Sequence, residues 1–292
     1  VDSQFIINGI AASSVYLLAG LSFQVIYSTS GFFHFAHGAV FAAGAYVLYS
    51  ACTIAGWSAP LAIILVLVVC GCLGLLMEYI IFRHLRRLRA SGLILLIASL
   101  GLYVVMQNIL SILFGDEVRS IRTGIVKPGI KVLGGYLTEA QGLTVLTALA
   151  VSTSMVVFLL YSRIGLAMRA TASDLDLSKI IGIDSSKISR LSFVLGSALG
   201  GLTGALVAMD VGLTPSMGMR LLMMGVVAMI IGGTRSIAGV ILGAFLLGMS
   251  LHVAAKVIST QWQDAIAFIL LLGFLLFRPE GFRGKKVRKA TV

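Results

Sequence analysis

Charge is what this sequence has least of. Only 11% of its 292 residues are Asp, Glu, Lys or Arg, against 59% that are apolar. A soluble core cannot hide that much apolar surface, so a water-soluble domain is excluded. Strand-like alternation is missing as well, which argues against a membrane β-barrel. There are three cysteines, Cys52, Cys70 and Cys72, all inside apolar runs. An odd number without metal-ligand spacing reads as small hydrophobic packing residues. No basic stretch precedes the first apolar run, so no cleavable signal is visible and the first span is expected to stay. Paired catalytic carboxylates, a nucleophile beside a base and a nucleotide fingerprint are all missing, which argues against an enzyme. The nearest string to a phosphate loop, Gly281 to Lys286, lacks the G-x-x-x-x-G-K-(S/T) pattern.

What is there is a series of runs longer than the roughly 18 apolar residues that mark a membrane span. Candidate spans fall near 4–26, 33–52, 58–82, 92–114, 142–162, 190–209, 217–234, 236–257 and 261–277. The fold expected is all-α: one polytopic helical membrane domain over residues 1–292, with about 8–10 spans, some of them discontinuous. Fifteen of the 22 Lys and Arg residues sit in three segments, Arg83 to Arg89, Arg163 to Arg190 and Arg278 to Lys289. The stretch from about 115 to 141 is nearly balanced. By the positive-inside rule the three basic segments face the cytoplasm, the balanced one faces outward, and nine crossings leave the C-terminus inside.

A polar insert at about 163–190 interrupts the greasy pattern. Thr171 and Asp174 have capping-box spacing, and Leu177, Ile180 and Ile181 share one helical face. Gly182 is placed to close that helix, and Asp184 or Ser185 to cap the next. Such a segment is either a docking helix for a partner or an amphipathic helix lying on lipid.

Glycines break several spans. Gly31 with His34, His37 and Gly38 stands where the second should begin, Gly196 to Gly204 crowd the sixth, and Gly232 and Gly233 separate two late ones. Broken helices are how transporters expose backbone to a solute, although close helix packing selects the same residues. His34 and His37 share a helical face but would need a further ligand to hold zinc. Gln107 and Asn108 are amides inside a span, suited to a neighbouring helix or to a solute. Glu78 precedes Arg83 and Arg86, which predicts an ion pair at a cytoplasmic end, with proton coupling as the sharper alternative. Asp210 and Asp264 fall at external ends and read as interface markers. Met209, Met217, Met219, Met223, Met224 and Met229 cluster as core fillers.

Six strings then resemble one known family in order. GFFHFAHGAVFAAGAY at 31–46 is similar to G-x-x-N-F-A-H-G-(acid)-x-x-x-x-G-A-Y, and EYIIFRHLR at 78–86 to E-x-x-x-x-R-P-L-R. LIASLGLYVVMQNILSILFG at 96–115 fits a T/S-x-G span, and MRATASDLDLSKIIGID at 168–184 fits R-A-x-A-x-(D/N)-x-x-x-A-x-x-x-G-I-(D/N). IIGGTRSIAGVILGAFLLG at 230–248 and FRPEG at 277–281 complete the set. The chain thus resembles the permease subunits of branched-chain amino acid ABC importers, the LivH/LivM type with its urea- and amide-importing relatives. It departs from them at His34, Ala39, His84 and Arg235.

The resemblance implies an importer permease in a bacterial inner membrane, passing a small polar solute such as an amino acid or urea by alternating access. It implies a second permease (a paralogue or another copy), two cytoplasmic ATPase subunits that carry the ATP and magnesium, and a solute-binding protein outside. No cofactor belongs to the chain itself. Arg169, Ala170, Asp174, Leu177, Ile180, Ile181, Gly182, Ile183 and Asp184 would couple to an ATPase. His34, Phe35, His37, Gly38, Gln107, Asn108, Gly232 and Gly233 would line the passage. An autonomous secondary carrier or channel is the alternative, and it predicts uptake without ATP.

Overall fold

A computed structural model of the chain describes residues 2–121, 129–132, 134–278 and 280–282. Most of the basic tail and part of the outward stretch therefore lie outside the described residues. Away from water every backbone N–H and C=O has to bond within its own segment, and the apolar runs accordingly become helices. In chain order these are α1 (Asp2–Ser30), α2 (His37–Tyr49), α3 (Ala59–Met77), α4 (Arg83–Arg87) and α5 (Gly92–Phe114). A short antiparallel hairpin, β1 (Ile130–Val132) with β2 (Gly135–Leu137), precedes α6 (Glu139–Tyr161). There follow α7 (Arg163–Ser173), α8 (Leu175–Ile180), α9 (Ser185–Val211), α10 (Met217–Gly232), α11 (Ile237–Val257) and α12 (Gln263–Phe277). Single π turns at Ser50–Ile54 and Glu78–Phe82 extend α2 and join α3 to α4.

Among the described residues, eight helical stretches are long and apolar enough to cross a membrane. The apolar α10, at 16 residues, is shorter than these, so against nine expected crossings eight described stretches meet the length and composition of a span. Gln4 of α1 hydrogen-bonds both the N–H and the carbonyl of Tyr136, so the start of α1 and the hairpin share one end of the bundle. We call this the hairpin end. The basic end carries α4, α7 and α8. At the centre, α1 lies against α9, α10 and α11, while α2 is clasped by α9 and α10. Small residues permit that clasp: a Cβ on Gly218 of α10 would run into the Gly38 carbonyl of α2.

The second span is discontinuous, as the sequence predicts, but its helix starts only at His37. Before it the chain turns at Gly31 (φ +72) and carries Phe32–Ala36 back into the bundle without helical structure. Phe32, His34 and Ala36 are buried there. Non-helical backbone at this depth needs other partners. Ser99 of α5 supplies one, accepting from the Phe35 N–H at 3.1 Å, while its own proton has the Leu96 carbonyl at 2.8 Å and the Phe33 carbonyl at 3.3 Å as acceptors.

Of the other two interruptions, one differs from expectation and one is as expected. The glycines of the sixth span leave α9 unbroken and instead admit neighbours; Gly201 lies against Cys70 and Gly204 against the Phe41 backbone. Gly232 and Gly233 end α10 in a tight turn, where the Gly233 N–H bonds the Met229 and Ile230 carbonyls and Ser236 caps α11. Of the cysteines only Cys70 is buried, and Cys72 is exposed.

Candidate functional site

A cavity of about 700 Å³ opens between α1, α6, α9 and α10 toward the hairpin end. Val15, Leu206, Leu221 and Met224 give it apolar walls, and Asn8, Tyr16, Thr144 and His252 put polar atoms among them. Its charges are Asp210, in the last turn of α9, and Arg220, in the first turn of α10. Both are engaged from outside. The Thr138 hydroxyl donates to Asp210 at 3.3 Å, and Arg220 pairs with Asp264 of α12 at 3.1 Å. The hydroxyl that holds Asp210 is also the N-cap of α6, in a full capping box with Gln141. Size, shape and a few placed polar groups are those of a small-molecule site.

None of the residues expected to line a passage borders this cavity. His34 and His37 are fully buried below it, between α1, α3 and α9. His37 Nε2 lies 3.0 Å from the Ser22 hydroxyl, whereas neither ring nitrogen of His34 has a partner. Gly38 packs against Tyr103 and α10, and Gly232 against Gly239. Phe35 belongs to the re-entrant segment and lines a smaller apolar cavity with Phe23, Phe33 and Val227. Gln107 is half-buried on α5, and Asn108 is exposed and bonds back to the Val104 carbonyl.

Sequence reasoning missed Arg220 and took Asp210 for an interface marker. A signal was available: Arg220 falls inside the predicted 217–234 span, and a charge inside a span is by default functional. Met217 and Met224 of the methionine cluster do line the cavity. Glu78 is buried and ion-paired with Arg86, and Arg86 also reaches the Ser189 hydroxyl of α9 at 3.4 Å. The expected ion pair is thus present and ties α3 and α4 to α9.

At the basic end the polar insert is two helices rather than one. Ser162 caps α7, and Thr171, instead of capping, is buried with its hydroxyl donating to the Ala167 carbonyl. Asp174 is the N-cap of α8, accepting from the Asp176 and Leu177 N–H groups at 3.0 Å each. The chain breaks at Asp174 because an extended residue (φ −152) there frees its carboxylate to cap. Gly182 (φ +87) ends α8, with the Ile183 N–H reaching back to the Ser178 carbonyl. Asp184 then caps α9, accepting from the Ser186 and Lys187 N–H groups at 3.0 and 3.1 Å, and the Lys187 N–H does most to hold its carboxyl below the usual range. Ile183 packs inward with Met168 and Ile188. Arg169 is exposed and Ala170 half-buried on α7, and Leu177, Ile180 and Ile181 project from α8 at 56%, 81% and 64% exposure. A polar loop that leaves three aliphatic side chains uncovered has the form of a docking surface.

The fold is that of a multi-pass helical membrane protein. Residues 5–275 match the family described as branched-chain amino acid transport system / permease component, and the chain belongs to it. Among curated relatives it is 31% identical to the high-affinity branched-chain amino acid transport system permease protein BraD of Pseudomonas aeruginosa, over 97% of this chain and 95% of that one. It is 28% identical to LivH of Escherichia coli K12 over the same shares. In fold it is similar to PsaBC from Streptococcus pneumoniae, solved with a Fab (TM-score 0.55, 16% identity, 94% of this chain and 92% of that one).

Proposed function

We propose that this chain is the permease subunit of an ATP-driven importer for an amino acid with an aliphatic side chain, in a bacterial inner membrane with the C-terminus cytoplasmic. The observation that carries the reading is the hairpin-end cavity, where an acid, a base and an aliphatic wall stand together. Asp210 suits a solute ammonium, Arg220 a solute carboxylate, and Leu206, Leu221 and Met224 a branched side chain. In this reading a solute-binding protein delivers to the hairpin end, and a second permease completes the passage. Two ATPase subunits, which hold the ATP and magnesium, grip α8 through Leu177, Ile180 and Ile181. Movement of α8 passes to α9 through the Gly182–Asp184 link, and the cycle alternates access between the two ends.

The test is leucine uptake by the complete transporter in proteoliposomes, with and without ATP. Asp210→Asn and Arg220→Gln should each lower uptake about tenfold or more while the assembled complex stays intact, since each removes a charged hydrogen-bond partner. Unchanged uptake in both variants would remove the cavity from the pathway. Full uptake by the chain alone without ATP would replace the importer with a secondary carrier.

A further inference from the structure

A second cavity, of about 490 Å³, lies at the basic end. It is walled by the end of α1 (27–31), the break between α7 and α8 (171–175), the turn after α10 (230–235) and Glu280. Three helix C-termini, those of α1, α7 and α10, therefore meet around it. Their last carbonyls give the site partial negative charge and favour a cation. Arg235 and Glu280 line it as well, both exposed, and neither has a hydrogen bond or ion pair among the described residues. The Ser30 hydroxyl borders the cavity too, buried and without a partner. A hollow lined by one cation, one anion, a partnerless hydroxyl and three helix C-termini is complementary to a small molecule carrying both signs.

We propose that this cavity is a second, inhibitory site for a free α-amino acid in its zwitterionic form. The Arg235 guanidinium takes the carboxylate, and Glu280 with the helix C-termini takes the ammonium. This goes beyond the transport reading but rests on it for the side of the membrane and for what the ligand controls. A bound zwitterion joins the α7–α8 break to α1 and to the α10–α11 turn. It therefore binds best when those elements stand as they do here, and it resists any movement of α8 away from them. By linkage, movement of α8 weakens the ligand by the same factor. Accumulated internal solute then slows its own import.

The experiment loads leucine inside proteoliposomes holding the complete transporter and follows ATPase rate and uptake. Internal leucine should lower both by about fivefold or more, the low end of ordinary coupling. Arg235→Ala and Glu280→Gln should each release that inhibition. An unchanged wild-type rate, or inhibition that persists in Arg235→Ala, overturns the proposal. An uptake loss in Arg235→Ala without relief of inhibition would make the cavity an exit route only, and overturns it too. If wild type imports no leucine at all, the transport reading fails, and equilibrium dialysis of radiolabelled leucine against the purified Asp210→Asn chain still decides the site. Binding that disappears with Arg235→Ala supports the site; binding that is absent, or indifferent to Arg235, refutes it.

Discussion

The two ends of this bundle hold cavities of opposite character. At the hairpin end the charges are already occupied, Asp210 by Thr138 and Arg220 by Asp264, and the walls between them are aliphatic. At the basic end Arg235 and Glu280 have no partner among the described residues, and hydroxyls and helix ends contribute to the walls. On α1 the first cavity reaches Tyr16 and the second begins at Tyr27, a separation of about 15 Å of helix. That interval is filled by buried Leu18, Leu21 and Phe23, with the Phe23, Tyr27 and Phe33 rings at centroid distances of 5.0 to 6.1 Å. Joining the two ends thus requires repacking around the re-entrant 31–36 segment rather than widening an existing channel. In the reading proposed above, the difference separates where a solute is selected from where movement is controlled.

The sharpest way to break the contrast is to damage the layer between the ends. Gly218→Leu would drive a side chain into the α2 backbone at Gly38 and cost about 3 kcal/mol or more. Both cavities should be lost together, seen as a collapsed yield of monodisperse protein and a lower thermal midpoint.

Next comes a change confined to the basic end. Ile180→Asp on the exposed face of α8 should reduce recovery of an ATPase subunit in co-purification about 30-fold, as expected for a central apolar contact. Leucine binding at the hairpin end should survive. Loss of both would mean that the ends are not separable.

A smaller effect sharpens the picture of the insert. Asp174→Ala removes the cap of α8 and should cost about 1 kcal/mol locally. Hydrogen exchange should rise across 175–180 and stay unchanged across α9. The smallest effect concerns pH at Asp184. Its carboxyl is held low in the folded chain, so its contribution is full above the unfolded carboxylate range and fades as pH falls through the lower folded value. Protection of the Ser186 and Lys187 amides, taken relative to their intrinsic exchange rates, should therefore drop only in acid, and Asp184→Asn should flatten that dependence.

The sequence already showed where the spans are, because long apolar runs leave the backbone no alternative to helix. The predicted 92–114 span coincides with α5, and the predicted 261–277 span nearly with α12. The second span begins late because Gly31 turns the chain and Ser99, distant in sequence, satisfies the loop that follows. Pattern alone showed an apolar face on the insert but not the break at Asp174, where one carboxylate bonds two amides. The hairpin-end cavity was the least legible feature. Its lining comes from helices far apart in the chain, and only the misplaced charge of Arg220 pointed toward it.

The fit of α2 has a consequence for how the protein is made. Its small-residue faces, Gly38 against Gly218 and Gly44 against Gly201, are matched by α10 and α9, which the ribosome delivers long after α2 itself. Until then α2 has only its earlier neighbours and lipid, and those faces stay unfilled. Its final seat is thus taken late in synthesis, after α9 and α10 have entered the bilayer. In chains whose Cys52 and Cys72 are replaced by Ser, truncated nascent chains ending before α9 should therefore leave the native Cys70, which lies between the Val40 carbonyl of α2 and Gly201 of α9, open to a membrane-soluble thiol reagent, and full-length chains should shield it.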